Sequence, residues 1–299
     1  MTATLRGTRS RTRRSCCPGW TRAATRAPVV LRSLNVEHEI WKGLAKGEPR
    51  LARKLYLDLL ERRLRAFEVA TLNDVDAILP VTPEDAATFR RLGASVPVHV
   101  APVGVDSGGF PDRSGQGDPR TLVFLGSLDW RPNLEAVRWF LQTVWPLVRQ
   151  SCPEARFHLG GSNPPPGLPV PARGEGVRFL GRVEDAQAFL ASGAAMVVPL
   201  LSGGGLRVKI LEAMALGIPV VSTRLGAAGI GARDGEEILL ADQPDRLARA
   251  CALLLSDRER AVSVGLAGRR RVRVAFDADV VARGILVFLE TLPRPGAAL

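Results

Sequence analysis

The stretch SGGGLRVKILEAMALGIPVVST, residues 202–223, joins a glycine loop to a helix and then to a strand. The preceding run AAMVVPL, residues 194–200, has the length and composition of a strand. VKILEAMALG, residues 208–217, carries apolar residues at helical spacing, and Gly217 and Pro219 predict where that helix ends. The glycines therefore lie between a strand and a helix N-terminus. Unpaired backbone N–H groups and the helix dipole favour an anion at such a place.

Two cations and one carboxylate accompany the glycines. Arg207 and Lys209 add positive charge to the first helical turn, which suits a diphosphate better than a neutral ligand or a carboxylic acid. Glu212 shares a helix face with Lys209, and a carboxylate beside a phosphate site can accept the paired hydroxyl protons of a sugar. In the alternative interpretation the glycines form an ordinary turn and Lys209 and Glu212 make a solvated ion pair. A glycine triplet alone favours that alternative, whereas the whole string favours an anion site.

The whole string resembles the nucleotide-binding segment of family 4-type glycosyltransferases of the GT-B fold. The resemblance extends from about Val29 to about Glu290 and includes several further stretches. VVLRSLNVEHEIW (29–41), the segment ending in PVTPED (76–85) and APVGVD (101–106) resemble the end of the N-terminal domain of that family. TLVFLGSLDWRPNLEAVRWF (121–140) and VRFLGRVED (177–185) resemble its C-terminal domain. The implied fold class is α/β of GT-B type, with a complete C-terminal Rossmann-like domain, a parallel sheet and a truncated N-terminal α/β domain.

The expected domain organisation follows from the same resemblance. A disordered Arg-rich head at 1–28 precedes a partial, acceptor-side N-terminal α/β domain at 29–106 and a glycine-rich linker at 107–120. The nucleotide-sugar-binding Rossmann-like domain follows at 121–276, and a C-terminal helix with a tail at 277–299 crosses back to the N-terminal domain. The partial domain leaves strand edges that are either exposed or completed by a part encoded elsewhere.

Local patterns predict the elements of both domains. In the first, we expect strands at 29–34, 77–82 and 96–102, a long helix at 49–72 and a short helix at 84–93. In the second, strands and helices alternate as in right-handed parallel βαβ units. The predicted strands are TLVFLG, ARFHLGG, VRFLG, AMVVPL, IPVVST and EILLA. Asn133, directly after Pro132, is the expected N-cap of the first helix of that domain.

Composition indicates a cytoplasmic protein. No apolar run approaches the about 20 residues that span a bilayer, and the four cysteines show neither metal-ligand spacing nor a secreted disulfide pattern. The net charge is +11, but residues 1–27 contain seven arginines and no acid, so the rest is only mildly basic. A mis-assigned start, a basic arm and a transit peptide are the alternatives for that head. No nucleic-acid partner is expected, and peripheral contact with the acidic inner membrane face is left open.

The carboxyl ends of parallel strands define the expected site, because ligands bind there in open α/β sheets. By resemblance, the donor diphosphate is held by Gly203, Gly204, Gly205, Leu206, Arg207 and Lys209. The ribose is held by Glu212, the nucleobase lies beside Arg182, Val183 and Glu184, and Gly126 and Ser127 belong to the first loop. The resemblance implies no metal and no cofactor, since the nucleotide sugar is a substrate.

Three departures from the family pattern concern the same site. Relatives often carry an arginine and a lysine in the first loop, where this chain has Ser127 and Asn133, so that Arg207 and Lys209, with Arg131 as a lesser candidate, must supply the charge. Relatives also carry two glutamates eight residues apart; the second is Glu212, but the first position is Gly204. The histidine of an HN-x-E segment is replaced by Leu34. His38 lies nearby, but a satisfied core histidine is the commoner role for such a residue, and the catalytic residue is left open.

The activity implied by the resemblance is transfer of a hexose-like sugar from a UDP- or GDP-linked donor to a saccharide or lipid-linked acceptor, with retention at the anomeric carbon. Such enzymes take part in polysaccharide biosynthesis. Two alternatives remain at this point. One is a nucleotide-sugar-binding remnant without transferase activity, and the other is an NDP-sugar epimerase.

Overall fold

The N-terminal part of the chain contains two short parallel strands. The structure is a computed structural model that describes residues 28–164 and 176–293, so the head predicted at 1–28 lies, except for its last residue, outside the described residues. Strands β1 (Val30–Ser33) and β2 (Ala77–Pro80) pair with Val30 opposite Ala77. Helices α1 (Glu37–Lys46) and α2 (Leu51–Thr71) connect the two strands, and α3 (Pro83–Arg91) follows. Their common core is formed by Val36, Leu72, Val75, Ile78 and Phe89.

The third strand predicted for this part, at 96–102, is not a strand. It forms one bridge, between Ile78 and Val98, and its hydrogen bonds to Ile78 run through the Pro97 carbonyl and the His99 N–H, each 3.0 Å long. The Ala101 N–H also donates to the Pro80 carbonyl at 2.8 Å. Pro97 and, on β2, Pro80 have no N–H group to complete the ladder, which explains why the segment follows β2 with only one bridge. Helix α1 was not predicted from the sequence; its N-cap is Val36, whose side chain makes no capping bond.

The C-terminal part is built on a parallel sheet of six strands in the order β5-β4-β3-β6-β7-β8. Their bounds are β3 (Asp118–Leu125), β4 (Arg156–Gly160), β5 (Val177–Gly181), β6 (Gly193–Val198), β7 (Val220–Ser222) and β8 (Leu239–Leu240). Each of the six corresponds to a predicted strand. Because the order reverses direction at β3 and β6, the loops after these two strands open onto one crevice.

Helices cover both faces of this sheet. They are α4 (Arg131–Trp139), continued by a π-helical turn (Phe140–Val144), α5 (Trp145–Ser151), α6 (Ala186–Ala191), α7 (Val208–Ala215), α8 (Pro244–Ser256), α9 (Arg258–Ala275) and α10 (Ala278–Glu290). One core contains Phe124, Phe140 and Phe157 with α5 and α8. The other contains Met196 and Ile210 with α7 and the end of α9.

The prediction that Asn133 caps α4 was wrong. The N-cap is Trp130, and Arg131 and Pro132 form the start of the helix. A proline fits the first turn because the N–H group that it lacks has no intrahelical acceptor there. Asn133 lies one residue further in, where its side chain is 4% exposed and bonds to groups outside the helix.

The connection between the two parts is shorter than the linker predicted at 107–120. A short 3₁₀ turn (Ser107–Gly109) begins it, and β3 already starts at Asp118, whose N–H donates to the Ser192 carbonyl. Helix α10 contacts the N-terminal part, since the Phe288 ring stacks on His99 with centroids 4.7 Å apart. Val105 also pairs with Asp277, the residue before α10.

Candidate functional site

A cleft of about 490 Å³ lies between the N-terminal part and the carboxyl ends of β3 and β6. Leu34, Asn35, Val81 and Val103 line it on one side. The opposite wall is formed by the loop after β3 and by the glycine loop with the start of α7: Leu125, Gly126, Trp130, Asn133, Gly204, Gly205, Leu206, Arg207, Val208 and Lys209. The two loops that the sequence associates with an anion therefore share one cavity.

The glycine loop has a backbone that other residues adopt with strain. Gly203 and Gly205 have φ angles of +108° and +73°. A Cβ atom on Gly205 would lie 2.2 Å from the Asn35 side-chain oxygen and 3.0 Å from the Leu34 carbonyl oxygen. Gly204 has more room, since its nearest neighbour would be an Ile40 carbon at 3.4 Å. Glycine at position 205 thus allows the loop to approach the N-terminal part closely.

Arg207 is a buried cation with unused hydrogen-bond donors. Its side chain is 6% exposed, and its Nη1 donates to the carbonyl groups of Gly204 and Gly205. Its Nε and Nη2 atoms have no partner within the described part of the chain. Burial lowers the pKa of Arg207, and its guanidinium carbon lies 5.5 Å from the centre of the Trp130 ring. A buried guanidinium with free donors can bind an anion that enters the cleft, because such donors are costly to leave unpaired.

Lys209 extends from α7 to the end of β3. Its Nζ donates to the Leu125 carbonyl at 3.1 Å and to the Asn133 side-chain oxygen at 2.9 Å. Burial, and secondarily the charge of Arg207, lower the pKa of Lys209 to about 7. The amine therefore loses its proton more easily than that of an exposed lysine.

Glu212 lies one helical turn after the cleft residue Val208 on α7. Its side chain is half-buried, and this burial raises its pKa. Across residues 28–164 and 176–293, Glu212 forms no ion pair with Lys209, whose amine binds Leu125 and Asn133 instead. The alternative of a solvated Lys209–Glu212 pair is therefore not what the structure contains. The carboxylate is left free to accept hydroxyl protons.

The first loop holds its predicted residues by local bonds. Ser127 Oγ donates to Asp129 Oδ1 at 2.5 Å, and the Ser127 carbonyl accepts a bond from Asn133 Nδ2 at 2.8 Å. Gly126 lies beside the amine of Lys209, since a Cβ atom there would be 3.0 Å from Nζ. Arg131, the lesser candidate for charge, is paired with Glu135 at 2.6 Å, which reduces its availability to a ligand.

The residues predicted for the nucleobase side lie outside this cleft. Arg182 and Glu184 are exposed in the turn after β5, and Val183 packs partly against the core beneath Gly160. Strand β5 is two positions from β3, at the edge of the sheet. The turn lies at the same carboxyl edge as the cleft, so it can extend the site beyond the diphosphate region.

On the opposite wall, His38 is a satisfied buried histidine. Its Nδ1 pairs with Glu68 Oε2 at 2.5 Å, and the residue is 5% exposed. Leu34, by contrast, is 57% exposed at the cleft. Sequence reasoning missed Trp130, a 42% exposed aromatic residue of the cleft, because nothing in the sequence distinguishes it from a core tryptophan.

Within residues 28–164 and 176–293, no group of three or more histidine, cysteine, aspartate or glutamate side chains is placed to hold a metal ion. Among the helices described, none has both the length and the apolar character needed to cross a membrane.

Comparison with solved structures identifies the class of fold. The chain is similar to HepE from Anabaena in complex with UDP, with a TM-score of 0.68 at 15% identity over 89% of this chain and 72% of that one. It is also similar to sucrose-phosphate synthase from Thermosynechococcus elongatus, with a TM-score of 0.66 at 19% identity over 87% and 67% of the two chains. The fold is that of the GT-B glycosyltransferases, which confirms the predicted α/β fold class.

Sequence comparison gives the family. Residues 119–257 match the family described as Glycosyl transferases group 1. The phosphatidyl-myo-inositol mannosyltransferase of Mycobacterium tuberculosis H37Rv is 34% identical over 217 residues, which are 66% of this chain and 54% of that protein. The match over residues 119–257, these relatives and the fold support a group 1 glycosyltransferase of the GT-B type. It spans about half the length of the curated relatives that it matches.

Proposed function

We propose that this chain binds a UDP- or GDP-linked sugar in the cleft and transfers the sugar to a saccharide or lipid-linked acceptor with retention at the anomeric carbon. The observation that carries the proposal is the pair of unpartnered donors on Arg207, which is buried beside the glycine loop. The match to the group 1 family supports the reaction class. The relatives named as mannosyltransferases and the neighbours solved with UDP support a nucleotide-sugar donor.

The residues of the cleft fit the parts of such a donor. Arg207, Lys209 and the N–H groups at the start of α7 offer positive charge to the diphosphate. Glu212, half-buried and free of an ion pair among the described residues, can accept both hydroxyl protons of the ribose. The turn with Arg182 and Glu184, at the same edge of the sheet, would meet the base.

The chemical step depends on the departing diphosphate. As the bond between the sugar and the diphosphate breaks, negative charge accumulates on the leaving oxygen. Fixed cations and helix N–H groups stabilise that charge in a site from which water is largely excluded, and this electrostatic contribution usually dominates such catalysis. For retention, the acceptor hydroxyl attacks from the face that the leaving group vacates.

The direct test is donor binding and hydrolysis by the purified chain. Calorimetry with UDP-glucose and GDP-mannose should show binding of at least one donor, and Glu212→Ala should weaken it by about 10- to 100-fold, since a hydrogen bond to a charged group contributes about 1.5–3 kcal/mol. Glu259→Ala is the matched control, because Glu259 is exposed on α9. Binding of neither donor, or equal effects of the two substitutions, would contradict the proposal. The anomeric proton of the product in an NMR spectrum reports retention.

A second candidate is a nucleotide-sugar-binding protein without transferase activity. The observation that favours it is Leu34, which occupies the cleft position at which relatives often carry a histidine and which cannot move a proton. His38 is bound to Glu68 and does not replace it. Tight donor binding without hydrolysis or transfer would establish this candidate. Conversion of the free donor to its epimer, with no acceptor present, would instead identify an epimerase.

A further inference from the structure

Asn133 joins the first loop to Lys209 through both ends of its amide. Its Nδ2 donates to the Ser127 carbonyl at 2.8 Å, and its Oδ1 accepts from Lys209 Nζ at 2.9 Å. The two ends are not interchangeable, because a carbonyl can only accept and an ammonium can only donate. The Ser127 carbonyl therefore fixes the nitrogen end of the amide and turns its oxygen toward the amine. With 4% exposure, the side chain has little freedom to turn away.

The Lys209 amine retains one donor for a ligand. An ammonium has three donors, and the described residues occupy two of them through Leu125 and Asn133. Lys209 and Asn133 both line the cleft, and Gly126 places no side chain between the amine and that space. The amine also lies 4.5 Å from the centre of the Phe124 ring. The ring attracts positive charge but has no oxygen acceptor, so the third donor can turn to an anion in the cleft.

The surroundings make the charge of this amine sensitive to pH. Burial lowers the pKa of Lys209 to about 7, and the charge of Arg207 contributes in the same direction. The other ionisable groups on the surrounding elements are Glu212 on α7, Asp129 in the first loop, and Arg131 and Glu135 on α4. Arg131 and Glu135 pair with each other, and Asp129 accepts bonds from Ser127 and Asn163. None of these carboxylates forms an ion pair with the amine in the described structure.

We propose that Asn133 is a positioning residue that directs the Lys209 amine into the cleft, and that one proton on this amine controls how tightly the donor diphosphate binds. The inference rests on the proposed function, since it concerns the same anion. A bound diphosphate favours the protonated amine, so binding above neutral pH takes up a proton from solution. Donor affinity then falls as the pH rises through the value at which the free amine titrates.

The titration of Lys209 can be measured without any donor. The chain has four lysines, Lys42, Lys46, Lys54 and Lys209, and the first three are exposed. Lysine labelled with ¹³C at Cε gives four resolved signals, and Lys209→Met assigns the signal of interest. We expect that signal to titrate near pH 7, as the lowered pKa of about 7 requires. Titration of the Lys209 signal near the usual lysine value of about 10.4 would overturn the inference.

Two substitutions of Asn133 separate positioning from a structural role. Asn133→Leu removes the acceptor oxygen, so the midpoint of the Lys209 titration should move to lower pH. Asn133→Asp places a carboxylate beside the amine, so the midpoint should move to higher pH. A loss of packing alone does not predict shifts in opposite directions. Equal midpoints in wild type and both variants would refute the positioning role.

Donor binding is then followed by calorimetry as a function of pH, with UDP-glucose and GDP-mannose as probes. We expect affinity to fall about tenfold for each pH unit above the midpoint, and this fall should follow the shifted midpoints of the Asn133 variants. Lys54→Met, the control, should leave the profile unchanged. Binding that does not depend on pH above neutrality would overturn this inference alone. Failure of the wild-type chain to bind either donor would overturn the proposed function, while the ¹³C titration would still decide whether Asn133 positions the amine.

Discussion

At the scale of single residues, Arg207 shows a cost in stability that a ligand would offset. Its guanidinium is buried, its pKa is lowered by that burial, and two of its nitrogen atoms have no partner among the described residues. Arg207→Met removes the unpaired donors together with two bonds to glycine carbonyls. Since these effects oppose each other, we expect the free energy of unfolding without ligand to change by less than about 1 kcal/mol.

The same substitution should affect donor binding much more strongly. We predict that Arg207→Met weakens binding by about 10- to 100-fold, because hydrogen bonds to charged groups contribute about 1.5–3 kcal/mol. Arg273→Met is the matched control, since Arg273 is exposed on α9. Urea unfolding and calorimetry measure the two quantities. A large loss of stability with unchanged affinity would mean that Arg207 has only a structural role.

Protonation of Glu212 should weaken donor binding at low pH. Burial raises the pKa of Glu212, so the carboxylate becomes protonated above the usual glutamate range of about 4.3. A protonated carboxyl loses an acceptor, and donor affinity should therefore decrease as the pH falls through that raised pKa. Glu212→Gln should bind weakly and lose this decrease. If the affinity of the variant decreases at low pH in the same way as that of the wild type, another group is responsible.

The residues that the sequence singled out lie together in the structure where the signal was local. The string from Gly203 to Glu212 contains its glycines, cations and carboxylate within one strand-loop-helix unit, and the structure keeps most of them at one cleft. Asn133 could not be recognised in this way. Its contact with Lys209 joins residues 76 positions apart, and it depends on how α4 and α7 pack. From the neighbouring residues alone, Asn133 was predicted to be a helix N-cap.

At the scale of elements, the glycine loop depends on one position more than on its neighbour. Gly205 has a φ angle of +73°, and a Cβ atom there would overlap the Asn35 side chain, whereas Gly204 has a neighbour only at 3.4 Å. We predict that Gly205→Ala lowers the free energy of unfolding by about 1–2 kcal/mol and weakens donor binding. Gly204→Ala, the control for folding, should change the free energy of unfolding much less. Equal losses of stability in the two variants would contradict the described loop geometry.

The strands differ in how far sequence patterns predicted them. The six strands of the large sheet are apolar runs between turn signals, and all six were predicted near their observed bounds. The segment 96–102 has the same apolar character, yet its prolines leave it with one bridge. Helix α1 was also not predicted, and only His38 and Ala45 of its ten residues are buried. Sequence patterns therefore identified the strands of the large sheet more reliably than the elements of the N-terminal part.

At the scale of the whole molecule, the cleft exists because two α/β parts face each other, and α10 helps to hold them together. The Phe288 ring stacks on His99 at 4.7 Å, whereas its neighbour Val287 is 64% exposed. We predict that Phe288→Ala lowers the free energy of unfolding by about 1 kcal/mol or more, through lost ring contact and burial, and that Val287→Ala does so by less than about 0.5 kcal/mol. Equal effects would argue against α10 as the connection between the two parts.

The fold class could be predicted from the sequence, because the stretch that matches the group 1 glycosyltransferases, residues 119–257, lies in the contiguous C-terminal part. The position of the N-terminal part could not be predicted in the same way. It depends on contacts between distant segments, such as Leu34 against Gly205 and Gly104 against Ala278. These contacts define the second wall of the cleft, and the donor assignment depends on them.

The most direct measurement is a crystal structure of the chain grown with UDP-glucose or GDP-mannose. We predict the diphosphate in the cleft, with its oxygens within hydrogen-bond distance of Arg207 Nε or Nη2, of Lys209 Nζ and of N–H groups at the start of α7. We also predict ribose hydroxyls on Glu212. A diphosphate bound elsewhere, with the Arg207 donors still unpaired, would contradict the central claim that this cleft is the donor site.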